Sequence, residues 1–191
     1  MRKIVFDIET KNMFQDVGKH DPVLLDLSLV GVYDSETNAY TSYLQEDLPA
    51  LWPLLEKADV LIGYNSDHFD IPLLNKYYPG DLTHIKSIDL LKEIRKSLGR
   101  RLKLDSVAEA TLGKNKTGDG LQAITWWKEG AIDKIRQYCL EDVKITKELY
   151  DYALKNGVLK YKDYGTVRDI PLDTSSWEKI ENASVTKTLP F

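Results

Sequence analysis

Carboxylates set inside apolar stretches are the residues of this sequence best suited to chemistry, because an unpaired charge taken out of water is costly. In Lys3-Ile4-Val5-Phe6-Asp7-Ile8-Glu9 the two-residue period of a strand places Val5, Asp7 and Glu9 on one face and Ile4, Phe6 and Ile8 on the other. Two acids therefore project from the same side of one strand end. A further acid, Asp142, falls in a stripe of Ile135, Tyr138, Cys139, Ile145, Thr146 and Leu149 at helical spacing. Glu141 has Lys144 at i+3 as a surface partner, whereas the i+3 and i+4 neighbours of Asp142 are Ile145 and Thr146. Asp142 needs a charge from elsewhere in the fold, and a metal ion would supply it. Tyr138, one turn earlier, shares that face, so its hydroxyl can reach whatever Asp142 binds. Asp70 lies just ahead of Pro72 in Gly63-Tyr64-Asn65-Ser66-Asp67-His68-Phe69-Asp70-Ile71-Pro72. Each has an ordinary use as well: Asp7 and Asp70 as turn or cap residues, Glu9 as a solvated acid, Tyr138 as core packing.

The elements that must position these residues follow from pattern and punctuation. Short buried strands are expected at Lys3–Glu9, Ser28–Ser35, Asn38–Leu44, Asp59–Tyr64 and His84–Ser87. Helices are expected over Leu48–Ala58, Pro72–Tyr78, Leu90–Leu98, Ser106–Leu112 and Ala131–Asn156, the last stopped by Gly157. Trp126 and Trp127 fall on another short helix. Val158–Asp163 and Thr166–Ile170 flank Tyr164-Gly165 as a hairpin, and the Ser/Thr-rich stretch from Pro171 to Phe191 reads as a loosely held tail. Strands first, then helices alternating with strands, give an α/β sandwich on a mixed sheet. At 191 residues this is one domain, with motif-bearing residues 1–155, a hairpin over 157–171 and a polar tail over 172–191. Cys139 is the sole cysteine, which excludes an internal disulfide or a Cys-based zinc site and fits a cytoplasmic setting. No apolar run approaches the roughly 18 residues of a membrane span.

With these residues in view, the sequence resembles the DEDD superfamily of 3′-5′ exonucleases, and within it the proofreading domain of family B DNA polymerases. The similarity rests on Phe6-Asp7-Ile8-Glu9-Thr10, on Gly63-Tyr64-Asn65 through Phe69-Asp70, and on Tyr138-Cys139-Leu140-Glu141-Asp142. The connecting segments Ser87-Ile88-Asp89-Leu90-Leu91 and Leu102-Lys103-Leu104-Asp105-Ser106-Val107-Ala108 are also similar, in the family's order. His20, His68 and His84 are far along the chain from Asp142, so the tyrosine branch is the one matched. The resemblance implies a ribonuclease H-like fold, here as a free-standing exonuclease domain. It also implies phosphodiester hydrolysis at the 3′ end of single-stranded DNA with release of nucleoside 5′-monophosphates. Two divalent ions can both activate water and stabilise the charge that develops in such a reaction, and all-oxygen ligands favour Mg²⁺ or Mn²⁺ over zinc. The family pattern makes Asp7 the bridging ligand, Glu9 and Asp142 ligands of one ion, Asp70 a partner of the other, and Tyr138 the group that orients the attacking water.

The substrate side is read from the same motifs and from charge. Thr10, Asn65 and Phe69 lie within the first two motifs and are expected against the strand, and Phe14 could wedge its terminal base. The net charge of -4 alone disfavours a polyanion, yet Lys86 to Lys116 holds nine bases against four acids. Arg100, Arg101 and Lys103 in that stretch are expected to contact phosphates, the alternative being a solvated face. The terminal Thr186-Lys187-Thr188-Leu189-Pro190-Phe191 resembles the short peptides by which bacterial replication proteins bind the sliding clamp, with Thr where Gln is usual. Two other functions stay open: an exoribonuclease of the same superfamily, since nothing in the sequence reads the sugar 2′ position, and a catalytically inactive nucleic-acid-binding module.

Overall fold

Short, mostly apolar strands buried on both faces build the centre of the molecule. In a computed structural model, which describes residues 1–114 and 120–179, β1 (Lys3–Thr10) is an inner strand of a five-stranded sheet ordered β3-β2-β1-β4-β5. It pairs antiparallel with β2 (Leu27–Asp34), which pairs antiparallel with β3 (Ala39–Leu44). On its other edge β1 runs parallel to β4 (Val60–Gly63), itself parallel to β5 (Ser87–Asp89). β2 is buried along its whole length, which is why Leu27-Ser28-Leu29-Val30-Gly31-Val32-Tyr33 is nearly continuously apolar. The sheet is mixed, as expected.

Helices cover both faces. Ile4, Phe6 and Ile8 pack with Leu61 against α2 (Leu48–Glu56) and α3 (Asp70–Asn75). Val5, Ile62 and Ile88 pack on the other face against α7 (Ile132–Asn156), with α4 (Leu90–Leu98) and α5 (Leu104–Leu112) beside it. The even–odd split of β1 is therefore the split of the core, and Asp7 and Glu9 fall on the α7 side. A short α1 (Phe14–Val17) follows β1, and α6 (Gly120–Lys128) packs on α7. Gly157 ends α7 in the left-handed region at φ 68°. The hairpin of β6 (Val158–Asp163) and β7 (Thr166–Pro171) forms as its turn residues predict.

Three expectations are corrected. The third helix begins at Asp70 rather than Pro72, because a proline within the first turn removes an N–H that no helical carbonyl would have accepted. The fifth strand begins at Ser87; Leu82–His84 forms a 3₁₀ turn instead, with the Asp81 carboxylate accepting from Thr83 N at 2.9 Å. The segment after Pro171 is not loose throughout. Trp177 is 3% exposed and stacks on Tyr150 with ring centroids 5.4 Å apart, while Lys86 Nζ donates to the carbonyls of Ser176 and Lys179. Lys116 and the peptide Thr186–Phe191 lie outside the described residues.

Candidate active site

The parallel strands β1, β4 and β5 point their carboxyl ends the same way, and in open α/β sheets that end is where ligands bind. Here it carries Asp7 and Glu9 on β1, the Tyr64–Phe69 loop after β4, and Asp89 at the end of β5. The β1–β2 register slips between Glu9 and Thr10, so that Thr10 faces Leu27 and Ser28 is the extra residue. Such a bulge re-aims the side chains beside it.

On the facing helix, α7 approaches β1 and β2 closely because Gly31, paired with Asp7 across the ladder, has no side chain. A Cβ there would lie 2.8 Å from Cys139 Sγ and 3.2 Å from Val143 Cγ2. The approach brings one turn of α7, from Tyr138 to Asp142, over the end of β1. Asp7, Glu9 and Cys139 each offer a donor atom within 4.8 Å of the other two. Cys139 Sγ sits 3.4 Å from the Asp7 carbonyl and 3.7 Å from its Oδ2. Burial first, then the charges of Asp7, Glu9 and Asp142, push the Cys139 thiol up, so it serves as a protonated neighbour of Asp7. Sequence reading passed over this role, although Cys139 stands in the same stripe as Asp142.

The cleft so formed has a volume of about 520 Å³ and is lined by Asp7, Glu9, Asp70, Tyr138 and Asp142 together. Glu9, Asp70 and Asp142 are 7%, 4% and 5% exposed. Asp70 lies near the backbone of Ile8, and burial, with the nearby Asp89 carboxylate, holds its acid well above the usual range. Tyr138 stands edge-on to Trp126 with centroids 6.0 Å apart, which makes α6 the wall behind it. A larger groove of about 950 Å³ runs along Asp59, Asp67, His84 and Lys92, but there Lys92 and Asp67 pair with each other at 2.5 Å. The converging carboxylates are in the smaller cleft.

Four of the seven expected substrate contacts also line that cleft: Thr10, Phe14, Asn65 and Phe69. The Phe14 and Phe69 rings meet edge to face at 6.0 Å, and the Thr10 hydroxyl donates to Asn12 O at 2.8 Å. The three basic residues do not line it. Arg100 lies over the Tyr161 ring at 5.0 Å and 3.7 Å from Asp163, so it holds the hairpin. Lys103 is an exposed residue at the start of α5. Arg101 reaches the rim, donating to Asn65 Oδ1 at 2.7 Å. The apolar walls contributed by Leu104, Leu121 and Ile124 were not anticipated. Among them Leu121 is 57% exposed, and a large exposed apolar residue facing a cleft is a signal visible only once the helix is placed.

A mixed sheet sandwiched by helices, with acids gathered at the carboxyl ends of its parallel strands, is a ribonuclease H-like, nuclease-type arrangement. The RNase_H superfamily profile matches residues 4–154, and the chain belongs to that superfamily. Among curated proteins it is 30% identical over 156 residues to a DNA polymerase of Thermococcus aggregans, covering 65% of this chain and 8% of that protein. A DNA polymerase of Thermococcus litoralis matches equally, with 9% of its length covered. The chain thus spans less than a tenth of these relatives. The family B DNA polymerase of the hyperthermophilic archaeon Pyrobaculum calidifontis superposes with a TM-score of 0.63 at 20% identity, over 81% of this chain and 24% of that one. Among the described residues no helix is long and apolar enough to cross a membrane.

Proposed function

We propose that the chain is a metal-dependent 3′-5′ exonuclease that removes nucleoside 5′-monophosphates from single-stranded DNA. The observation that carries this reading is the convergence of Asp7, Glu9, Asp70, Tyr138 and Asp142, from three distant segments, on one cleft. The donor set fits a hard divalent ion: carboxylate oxygens, two of them on adjacent same-face positions of β1 and one on the helix above. Asp7, Glu9, Asp70 and Asp142 would hold two Mg²⁺ or Mn²⁺ ions, which when bound supply an activated water and offset the charge gathering on the phosphorus oxygens. Tyr138 is the group that orients the attacking water, its ring fixed by Trp126. Asn65 and Thr10 bind the strand end, and the edge-to-face pair Phe14–Phe69 offers an aromatic surface for the terminal base. Tyr64, its hydroxyl donating to Leu102 O at 2.9 Å, closes the floor as a neutral phenol whose ionisation burial suppresses. DNA is favoured over RNA because the similar curated proteins are DNA polymerases.

The test uses 5′-labelled DNA and RNA oligonucleotides with Mg²⁺, Mn²⁺ or EDTA, beside Glu9→Ala. A ladder shortening from the 3′ end of the DNA, lost with EDTA and in Glu9→Ala, is the expected result. Shortening of RNA alone would make the protein an exoribonuclease, and no products with either metal would leave a binding module.

A further inference from the structure

Asn65 is gripped by residues on either side of a single helix. Its backbone is left-handed, at φ 67°, a conformation that Asn tolerates better than most residues. Its N–H donates to Asp89 Oδ1 at 2.7 Å, and the Asp67 N–H donates to Asp89 Oδ2 at 3.2 Å. The same carboxylate caps α4, accepting from Leu91 N at 2.9 Å and Lys92 N at 3.3 Å. Asp89 is 4% exposed, so these four N–H donors are what makes its burial tolerable. Two residues past the Gly99 that ends α4, Arg101 donates to Asn65 Oδ1 at 2.7 Å. The Asn65 carbonyl accepts in turn from His68 N and Phe69 N, which sets the turn delivering Phe69 and Asp70 to the cleft.

We propose that Asp89 and Arg101 are positioning residues that act through Asn65: Asp89 fixes its backbone, and Arg101 fixes the orientation of its amide. Arginine carries donors only, so it pairs with Oδ1 and leaves Nδ2, a donor, as the group Asn65 offers. An acceptor-rich strand, phosphate or base carbonyl, is the chemistry such a group recognises. Arg101 then contributes without touching phosphate. The kinetic part of this inference rests on the exonuclease reading, whereas the bracing part does not.

The experiment is a double-mutant cycle of Asn65→Ala and Arg101→Ala, with kcat/KM on a single-stranded oligonucleotide and the salt dependence of its binding in EDTA as readouts. Lys96→Gln is the control. Arg101→Ala is expected to lower kcat/KM about tenfold, the double variant to be no worse than Asn65→Ala, and the salt slope to stay as in wild type. Multiplying losses, or a slope reduced by about one, would mean that Arg101 meets a phosphate and would overturn the proposal. Amide exchange in Asp89→Asn is expected to speed at least tenfold at Asn65 and Asp67; unchanged exchange there also overturns it. Arg101 is exposed, so Arg101→Ala carries the test should Asp89→Asn fail to fold. A wild-type protein with no nuclease activity would sink the exonuclease reading, and the exchange and binding arms would still decide this one.

Discussion

Replacing Gly31 with alanine tests whether the site depends on how closely α7 lies on the sheet. Gly31 faces the helix beside Asp7, and a methyl group there would stand 2.8 Å from Cys139 Sγ, 3.2 Å from Val143 Cγ2 and 3.3 Å from Leu140 Cδ2. Ordinary contact begins near 3.4 Å. Either the thiol gives up its place against Asp7 or α7 retreats by about half an ångström, in a core that tolerates little movement. Overpacking of this kind costs about 1–3 kcal/mol. At about 2–4 °C per kcal/mol for a chain of this size, 2 kcal/mol lowers Tm by roughly 4–8 °C. The retreat also withdraws Tyr138 and Asp142 from Asp7 and Glu9. A full 1 Å misplacement costs about 100-fold in rate, so about tenfold is expected here. Calorimetry in EDTA measures the first effect and the nuclease assay the second. Adding Cys139→Ala removes the nearest obstructing atom, and the double variant should be more stable than the summed singles by about 0.5–3 kcal/mol. A Gly31→Ala protein with wild-type Tm and rate would refute the idea that this glycine sets the depth of the site.

Three more predictions follow from the structure. Millimolar Mg²⁺ at about a hundred times its Kd should add about 2.7 kcal/mol of stability, roughly 5–10 °C in Tm, and Asp7→Ala should abolish both that rise and activity; a rise that survives in Asp7→Ala places the ion elsewhere. Asp34 accepts from Arg2 at 3.1 and 2.8 Å and from Glu36 N at 2.9 Å, and these bonds outweigh burial to hold its pKa below the usual value. A depressed folded-state pKa stabilises above the unfolded value and is lost on acidification, so Asp34→Asn should lower Tm at pH 7 by an amount that shrinks as pH falls through about 4 and below; an equal loss at every pH would remove the charge from the explanation. Trp177→Ala, deleting a buried ring stacked on Tyr150, should cost about 3–5 kcal/mol, measured by urea unfolding, whereas a mobile tail would cost nothing.

What could be read from the sequence divides along the range of the interaction concerned. Period-two alternation put Asp7 and Glu9 on one face of β1, and the three- and four-residue spacing put Tyr138 and Asp142 on one face of α7, because both follow from local backbone geometry. Helix stops at Gly99, Gly113 and Gly157 were legible for the same reason, all three adopting positive φ. Long-range packing was not. Nothing near Trp177 in sequence says that it will lie against Tyr150, and nothing near Gly31 says that a helix more than a hundred residues later will rest on it. The cleft wall of Leu104, Leu121 and Ile124 likewise becomes visible only when two helices are set beside β1.

Charge shows the same divide and alters the physical picture of substrate capture. Counted along the chain, the stretch from Lys86 to Lys116 is strongly basic. Folded, much of that charge is already engaged: Lys92 by Asp67, Lys96 by Glu93, Arg100 by Asp163, Lys114 by Glu148, and Lys86 by two backbone carbonyls. An ion pair leaves little net field beyond a Debye length of about 8–10 Å. A long basic track that coats a polyanion through many phosphate contacts would give a steep salt dependence. On the proposed exonuclease reading, an acidic protein with several bases of that stretch paired has a different route to one strand end: cations gathered by four carboxylates, the Asn65 amide donor held in place by Arg101, and apolar and aromatic surface at the rim. On this account affinity should fall only gently with salt and steeply on chelation, since the positive charge that meets the substrate is borrowed rather than carried in the chain.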